Sequence, residues 1–157
     1  MKFPIAAGLI FLAQPGFTAC QENMVTIQGD WGHANFNVEI ADDAAERAQG
    51  LMHVDEMPIL SGMLFIYEYP HSPAFWMKNT LIPLDMLFVS PEGEILHIHE
   101  NAIPHDTTAI PGGDGVQVVL EINGGLSARL GISVGDVLQH PTFGEQAILP
   151  CDEKSDD

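Results

Sequence analysis

Basic residues are scarce in this chain. Lysine and arginine together number five among 157 residues, against 22 aspartates and glutamates, for a formal charge of −17. A surface of that sign repels phosphate backbones and anionic lipid, so neither nucleic acid nor a membrane surface is an expected partner. Cysteine is rarer still: Cys20 and Cys151 stand alone, without a C-x-x-C pair, which argues against thiol redox catalysis. No apolar run is long enough to cross a bilayer as a helix. The loop Gly112-Gly113-Asp114-Gly115 precedes a strand pattern and lacks the Lys and Ser/Thr of a phosphate cradle, so it reads as a turn. The serines (Ser61, Ser72, Ser90, Ser127, Ser133) have no nucleophile-elbow context.

What is present begins with an export signature. Lys2, the apolar "FPIAAGLIFLA" and the small residues of "GFTAC" have the order of a signal peptide over residues 1–19. A periplasmic or secreted location follows, with a body over 20–151 and an acidic tail, "DEKSDD", over 152–157. In an oxidising compartment, two cysteines bracketing a domain suggest a disulfide between Cys20 and Cys151. The alternative is a lipoprotein acylated at Cys20 of "FTAC", although Phe17 replaces the leucine usual in that motif and Cys151 would be left unpaired.

The body alternates short strand patterns with turn signals. In "HANFNVEIA", Ala34, Phe36, Val38 and Ile40 share one face. "DDAAERAQGLMH" changes to a helical period, with Ala44, Ala48, Leu51 and Met52 on one stripe and Asp43 with Glu46 as a capping box. "GMLFIYEY" is apolar on both faces and should be a central strand ended by Pro70. "LDMLFVSPEGEILHIHE" reads as a hairpin, "GVQVVLEI" as a buried strand, "NGGLSARLGI" as a second short helix and "VLQH" as a last strand. The expected fold is mainly β (α+β): a small curled, mostly antiparallel sheet or barrel with two short helices.

The chemistry gathers where polar residues interrupt apolar segments. Lys78 and Asn79 follow Phe75-Trp76-Met77, Asp85 lies inside "LDMLFV", and Glu121 lies inside "QVVLEI". Asp85 should share a strand face with Leu87 and Val89, and Glu121 with Val119; Arg47 lies beside the apolar stripe of its helix. An isolated charge at such a position costs several kcal/mol, so pairing is expected. One arrangement is a shared pocket of Arg47, Trp76, Lys78, Asn79, Asp85 and Glu121, with Lys78 held by Asp85 or Glu121. The other is separate structural ion pairs, or acids capping backbone amides. His97 and His99, with Glu100 and His105-Asp106 nearby, have a spacing that could hold zinc or copper. On the polar face of a hairpin they read instead as solvated histidines, and no metal or cofactor is expected.

The combination of Arg47, Gly50-Leu51-Met52, Gly62-Met63-Leu64-Phe65, Phe75-Trp76-Met77-Lys78-Asn79-Thr80, Pro83-Leu84-Asp85 and Leu120-Glu121 before Gly124 resembles the small bacterial and archaeal family known as domain of unknown function one-nine-two. The likeness runs over about residues 30 to 143. It implies a compact, β-rich, often exported domain and brings no established activity, so function must be argued from the site. The residues themselves suit binding of a small polar ligand, or of a cell-envelope partner, around Trp76, Lys78 and Asp85. The alternatives are hydrolytic or proton-transfer catalysis by Asp85 and Glu121, and an interaction domain without a ligand, using "FWM" as a partner patch.

Overall fold

The structure is a computed structural model and describes residues 20–151. The expected signal peptide and acidic tail lie outside the described residues. Seven strands form one curled sheet in the order β6-β5-β8-β3-β2-β1-β9. They are β1 (Met24–Gly29), β2 (Gly32–Ala41), β3 (Ser61–His71), β5 (Leu84–Val89), β6 (Ile95–Ala102), β8 (Val116–Asn123) and β9 (Val137–Gln139). The short strands β4 (Ala74–Phe75) and β7 (Ile110–Pro111) form a separate ribbon. Two short helices, α1 (Ala44–Gln49) and α2 (Leu126–Leu130), and a 3-10 segment (Pro141–Gln146) complete the fold.

The sheet is a half-barrel. Its outermost strands meet at one end only, where Ile95 N–H donates to the Asp136 carbonyl and Leu138 N–H to the Gly93 carbonyl. The pairs are antiparallel except β2–β3, which run parallel because α1 carries the chain across between them. β3 continues past Pro70 to His71 instead of stopping there. Its ladder with β8 is irregular between Ile66 and His71, so proline's missing donor falls where regular pairing is already broken.

Side chains alternate between two cores. All seven strands contribute to the inner one, including Val25, Phe36, Leu64, Leu87, Ile95, Leu120 and Leu138. The outer face of β3, β5 and β8 carries Met63, Phe65, Leu84, Met86, Phe88 and Val119, packed with Leu51, Met77 and Ile110 from the covering segments. Both faces of the central strands are thus covered, which is why "LDMLFV" is apolar almost throughout and every residue of β5 is buried. The capping box of α1 forms: Asp43 accepts from Glu46 N–H at 2.8 Å and the Glu46 carboxylate accepts from Asp43 N–H at 3.4 Å. The helix ends sooner than its apolar stripe suggests. Gly50 turns the chain at φ 49°, and Leu51, beyond the last helical residue, makes the buried contact.

Cys20 and Cys151 are joined, with Cα atoms 5.5 Å apart and a sequence separation of 131. Their sulfurs are therefore not available for acylation while the bond stands. The bond, and the lack among the described residues of a helix long and apolar enough to cross a membrane, are compatible with an extracellular location. On the chain-entropy argument, closing a loop this long contributes about 4–5 kcal/mol. Native protein should show no reactive thiol and should migrate faster without reductant, and its denaturant midpoint should fall on reduction. Labelling of both cysteines before reduction would refute the cross-link.

Candidate functional site

Glu121 sits on β8 between β3 and β5, level with Met63 on one side and Met86 on the other. The alternation of β8 sends Val118, Leu120 and Ile122 into the inner core and Glu121 to the outer face. There the covering layer does not close fully. A pocket of about 40 Å³ opens between the segment from Arg47 to Met52 and the segment carrying Phe75, Trp76 and Lys78, with Phe65 and Glu121 in its wall. Glu121 is 4% exposed, and among the described residues no hydrogen bond or ion pair reaches its carboxyl group. Burial alone pushes its pKa from 4.5 up to about 8, so the group is a neutral acid at pH 7.

The rim is built differently. Trp76 is 48% exposed, and the Lys78 ammonium lies 5.0 Å above its ring. Arg47 is committed to structure: its guanidinium donates to the carbonyls of Asp42 (2.6 Å) and Ile66 (2.8 Å), pairs with Glu68 at 3.3 Å, and stands 4.9 Å from the Tyr67 ring. Burial raises the Tyr67 pKa, and the nearby Arg47 charge partly offsets the rise. Asn79 is exposed with φ 54°; its carbonyl accepts from His53 N–H, whose own φ is 66°. The Thr80 carbonyl accepts from His105 N–H, with His105 at φ 65°. Among the described residues, three of the four non-glycine residues with positive φ thus meet at the turn that presents Lys78. Such conformations cost energy and persist where surrounding bonds hold them.

Asp85 is elsewhere. It pairs across the ladder with Ile122, one position from the Met86–Glu121 pair, so its side chain points to the opposite face of the sheet. It is fully buried. Its carboxylate accepts from the backbone N–H groups of Asn101 (2.8 Å), Gly125 (2.8 Å) and Ser127 (2.9 Å) and from the Ser127 hydroxyl. Asp85 is a strut tying β5 to the end of β6 and the start of α2. Of the two arrangements expected, the shared pocket is corrected in part: Asp85 instead caps backbone amides, as the other arrangement had it. Arg47, Trp76, Lys78 and Glu121 line one pocket, Asn79 flanks it, and Asp85 is excluded by register. The expected partner for Lys78 is corrected too: among the described residues the ion pair is Arg47–Glu68, and Lys78 is exposed on Trp76. Nothing in the sequence singles out Glu68, an ordinary polar residue at the exposed end of β3.

His97 and His99 pair with Phe88 and Met86; His97 is exposed, with its ring stacked on Phe88 at 5.6 Å, and His99 is half-buried. Among the described residues no group of three or more His, Cys, Asp or Glu side chains could hold a metal ion. A larger cleft of about 720 Å³ between the β1–β2 turn and Gly135 had no sequence signal. One oxygen of its Asp136 carboxylate accepts from Trp31 Nε1–H and Ser133 N–H, both at 2.8 Å.

Residues 24–140 match DUF192, described as "Uncharacterized ACR". The chain belongs to this family. It is similar to a protein from Sinorhizobium meliloti 1021, for which a role as a transcription regulator has been suggested, at 40% identity and TM-score 0.75, covering 81% of this chain and 99% of that one. It is also similar to a protein of unknown function from Novosphingobium aromaticivorans DSM 12444, at 39% identity and TM-score 0.72, covering 84% and 99%. No curated protein matches.

The two acids should respond to mutation in different ways. Asp85→Asn turns an amide N–H₂ toward donors and should cost about 3 kcal/mol or more in denaturant unfolding, whereas Lys78→Met should leave the midpoint nearly unchanged. A larger loss for Lys78→Met would reverse these roles. For Glu121 the sign follows from its raised pKa. Below pH 4.5 the group is neutral in both folded and unfolded chains; between 4.5 and about 8 only the unfolded chain releases the proton, so rising pH erodes stability. The full penalty above pH 8 is on the order of 5 kcal/mol. Glu121→Gln cannot titrate, so its stability relative to the native sequence should climb from pH 5 to pH 8 and then level off. A flat difference across that range would show that Glu121 is not held neutral.

Proposed function

We propose that the protein is an exported binding module that takes a small polar ligand, a sugar or peptide fragment of the cell envelope, at the pocket of Glu121, Trp76 and Lys78. The observation that carries this reading is Glu121: a buried carboxyl that meets no polar partner among the described residues, set beside an opening. An isolated acid in that position weakens the fold, and polar groups retained at such a cost are those used for something else. A pocket of about 40 Å³ has room for roughly three water-sized groups, so it admits only a head group of a few atoms. The body of the ligand would remain outside, on the exposed face of Trp76, with Lys78 beside it. Arg47 forms the wall, and Asp85 acts at a distance by holding β5, β6 and α2 together.

Export is supported by the leader-like residues 1–19 and by the disulfide. A second reading, proton transfer by Glu121, draws on its pKa near neutrality. It has one carboxyl group to work with, because Asp85 faces away and is saturated by hydrogen bonds. A regulatory role is suggested for the Sinorhizobium relative, but a charge of −17 opposes contact of this chain with DNA.

Because the chain has two tryptophans, Trp31→Phe leaves Trp76 as the sole indole reporter. Titrating this variant with soluble envelope oligosaccharides and muropeptides should give a saturable fluorescence change that Glu121→Leu abolishes without unfolding the chain. No saturable response to any of them, from a chain shown to be folded, would refute the binding reading.

A further inference from the structure

The donors at the pocket constrain what can enter it. Among residues 20–151 the cationic side chains are Arg47, Lys78 and Arg129, and two of these three line this one small pocket on a strongly acidic protein. Arg47 spends its charge on Glu68 and on two backbone carbonyls. Lys78 is exposed and makes no ion pair among the described residues, so its ammonium retains donors for a ligand. Glu121 in its neutral form offers one O–H donor from the wall. A carboxylate carries acceptors only, is flat, and is small enough for the opening.

Taking the pocket as the binding site proposed above, we infer that its ligand presents a carboxylate, received between the Lys78 ammonium and the Glu121 carboxyl, with a planar or apolar body lying on Trp76. The groups facing Glu121 support this assignment from each side. Arg47 stands on α1, Lys78 follows β4, and Tyr67 lies on β3 with Glu68 next to it; Met63 and Met86, level with Glu121 on the flanking strands, are uncharged. Glu68 is the acidic group of this set, and it is held by Arg47. An ionised Glu121 would repel a carboxylate, so binding requires the protonated form.

The test compares benzoate with its neutral isostere benzamide by chemical-shift titration of ¹⁵N-labelled protein at pH 6.5 and pH 9. Benzoate should move the Trp76 indole signal and the amides of residues 47–52, with benzamide at least tenfold weaker. Benzoate affinity should fall tenfold or more at pH 9, and Glu121→Gln should bind benzoate equally at the two pH values. Lys78→Met should lose most of the affinity and Lys78→Arg should recover part of it. If benzamide or N-acetylglucosamine moves Trp76 as strongly as benzoate does, the carboxylate assignment fails while the pocket remains a binding site. If none of the three moves Trp76 in folded protein, both fail. Shifts confined to the surroundings of Arg129 or Trp31 would also overturn the inference.

Discussion

The register in which β8 lies between β3 and β5 controls everything at the site. With Glu121 level with Met63 and Met86, the outer face of three central strands acquires a single acid in an apolar field. The adjacent pair, Asp85 with Ile122, sends the other buried acid through the sheet to the opposite side. Strand geometry has a period of two, so a slip of one residue in either ladder would exchange these destinations and bury Leu120 where the acid now sits. Gly62 helps to hold that register. A Cβ there would fall 2.3 Å from the Glu121 carbonyl oxygen, so only glycine lets β3 approach β8 this closely.

The two acids show how environment divides one chemistry into two uses. Asp85 receives three backbone N–H groups and a hydroxyl, which replace the water it gave up and let a buried carboxylate link β5, β6 and α2. Glu121 receives nothing comparable, and desolvation pushes it into the neutral form. A satisfied buried acid stabilises the fold that contains it. An unsatisfied one weakens that fold and remains chemically available, which is why Glu121, and not the more deeply buried Asp85, anchors the functional reading.

The scarcity of cations sharpens the contrast. Arg47 behaves as a structural residue, its planar guanidinium bridging α1 and β3 through carbonyls and Glu68 while facing Tyr67. Lys78 keeps its head group in solvent and rests on an aromatic face. Its turn is secured by backbone bonds to the His53 and His105 segments, so the ammonium is presented from an ordered position although the side chain makes no ion pair among the described residues.

Much of this was written locally. Alternation in "HANFNVEIA", the Asp43–Glu46 capping box, the hairpin turn at Pro91-Glu92-Gly93 and the doubly apolar runs of β5 and β8 each depend on a few neighbouring residues, so the sequence alone determined a mainly β, curled fold with two short helices. It also determined that Asp85 faces the same way as Leu87, and Glu121 the same way as Val119, because that follows from the period of one strand. Whether those two faces coincide is a relation between strands far apart in sequence, and no local pattern encodes it. The parallel β2–β3 pair, the Arg47–Glu68 bridge and the stacking of His97 on Phe88 are likewise products of long-range pairing. Residue chemistry supplied the candidates; the tertiary register alone decided which of them meet, since only it sets the distance between side chains tens of positions apart.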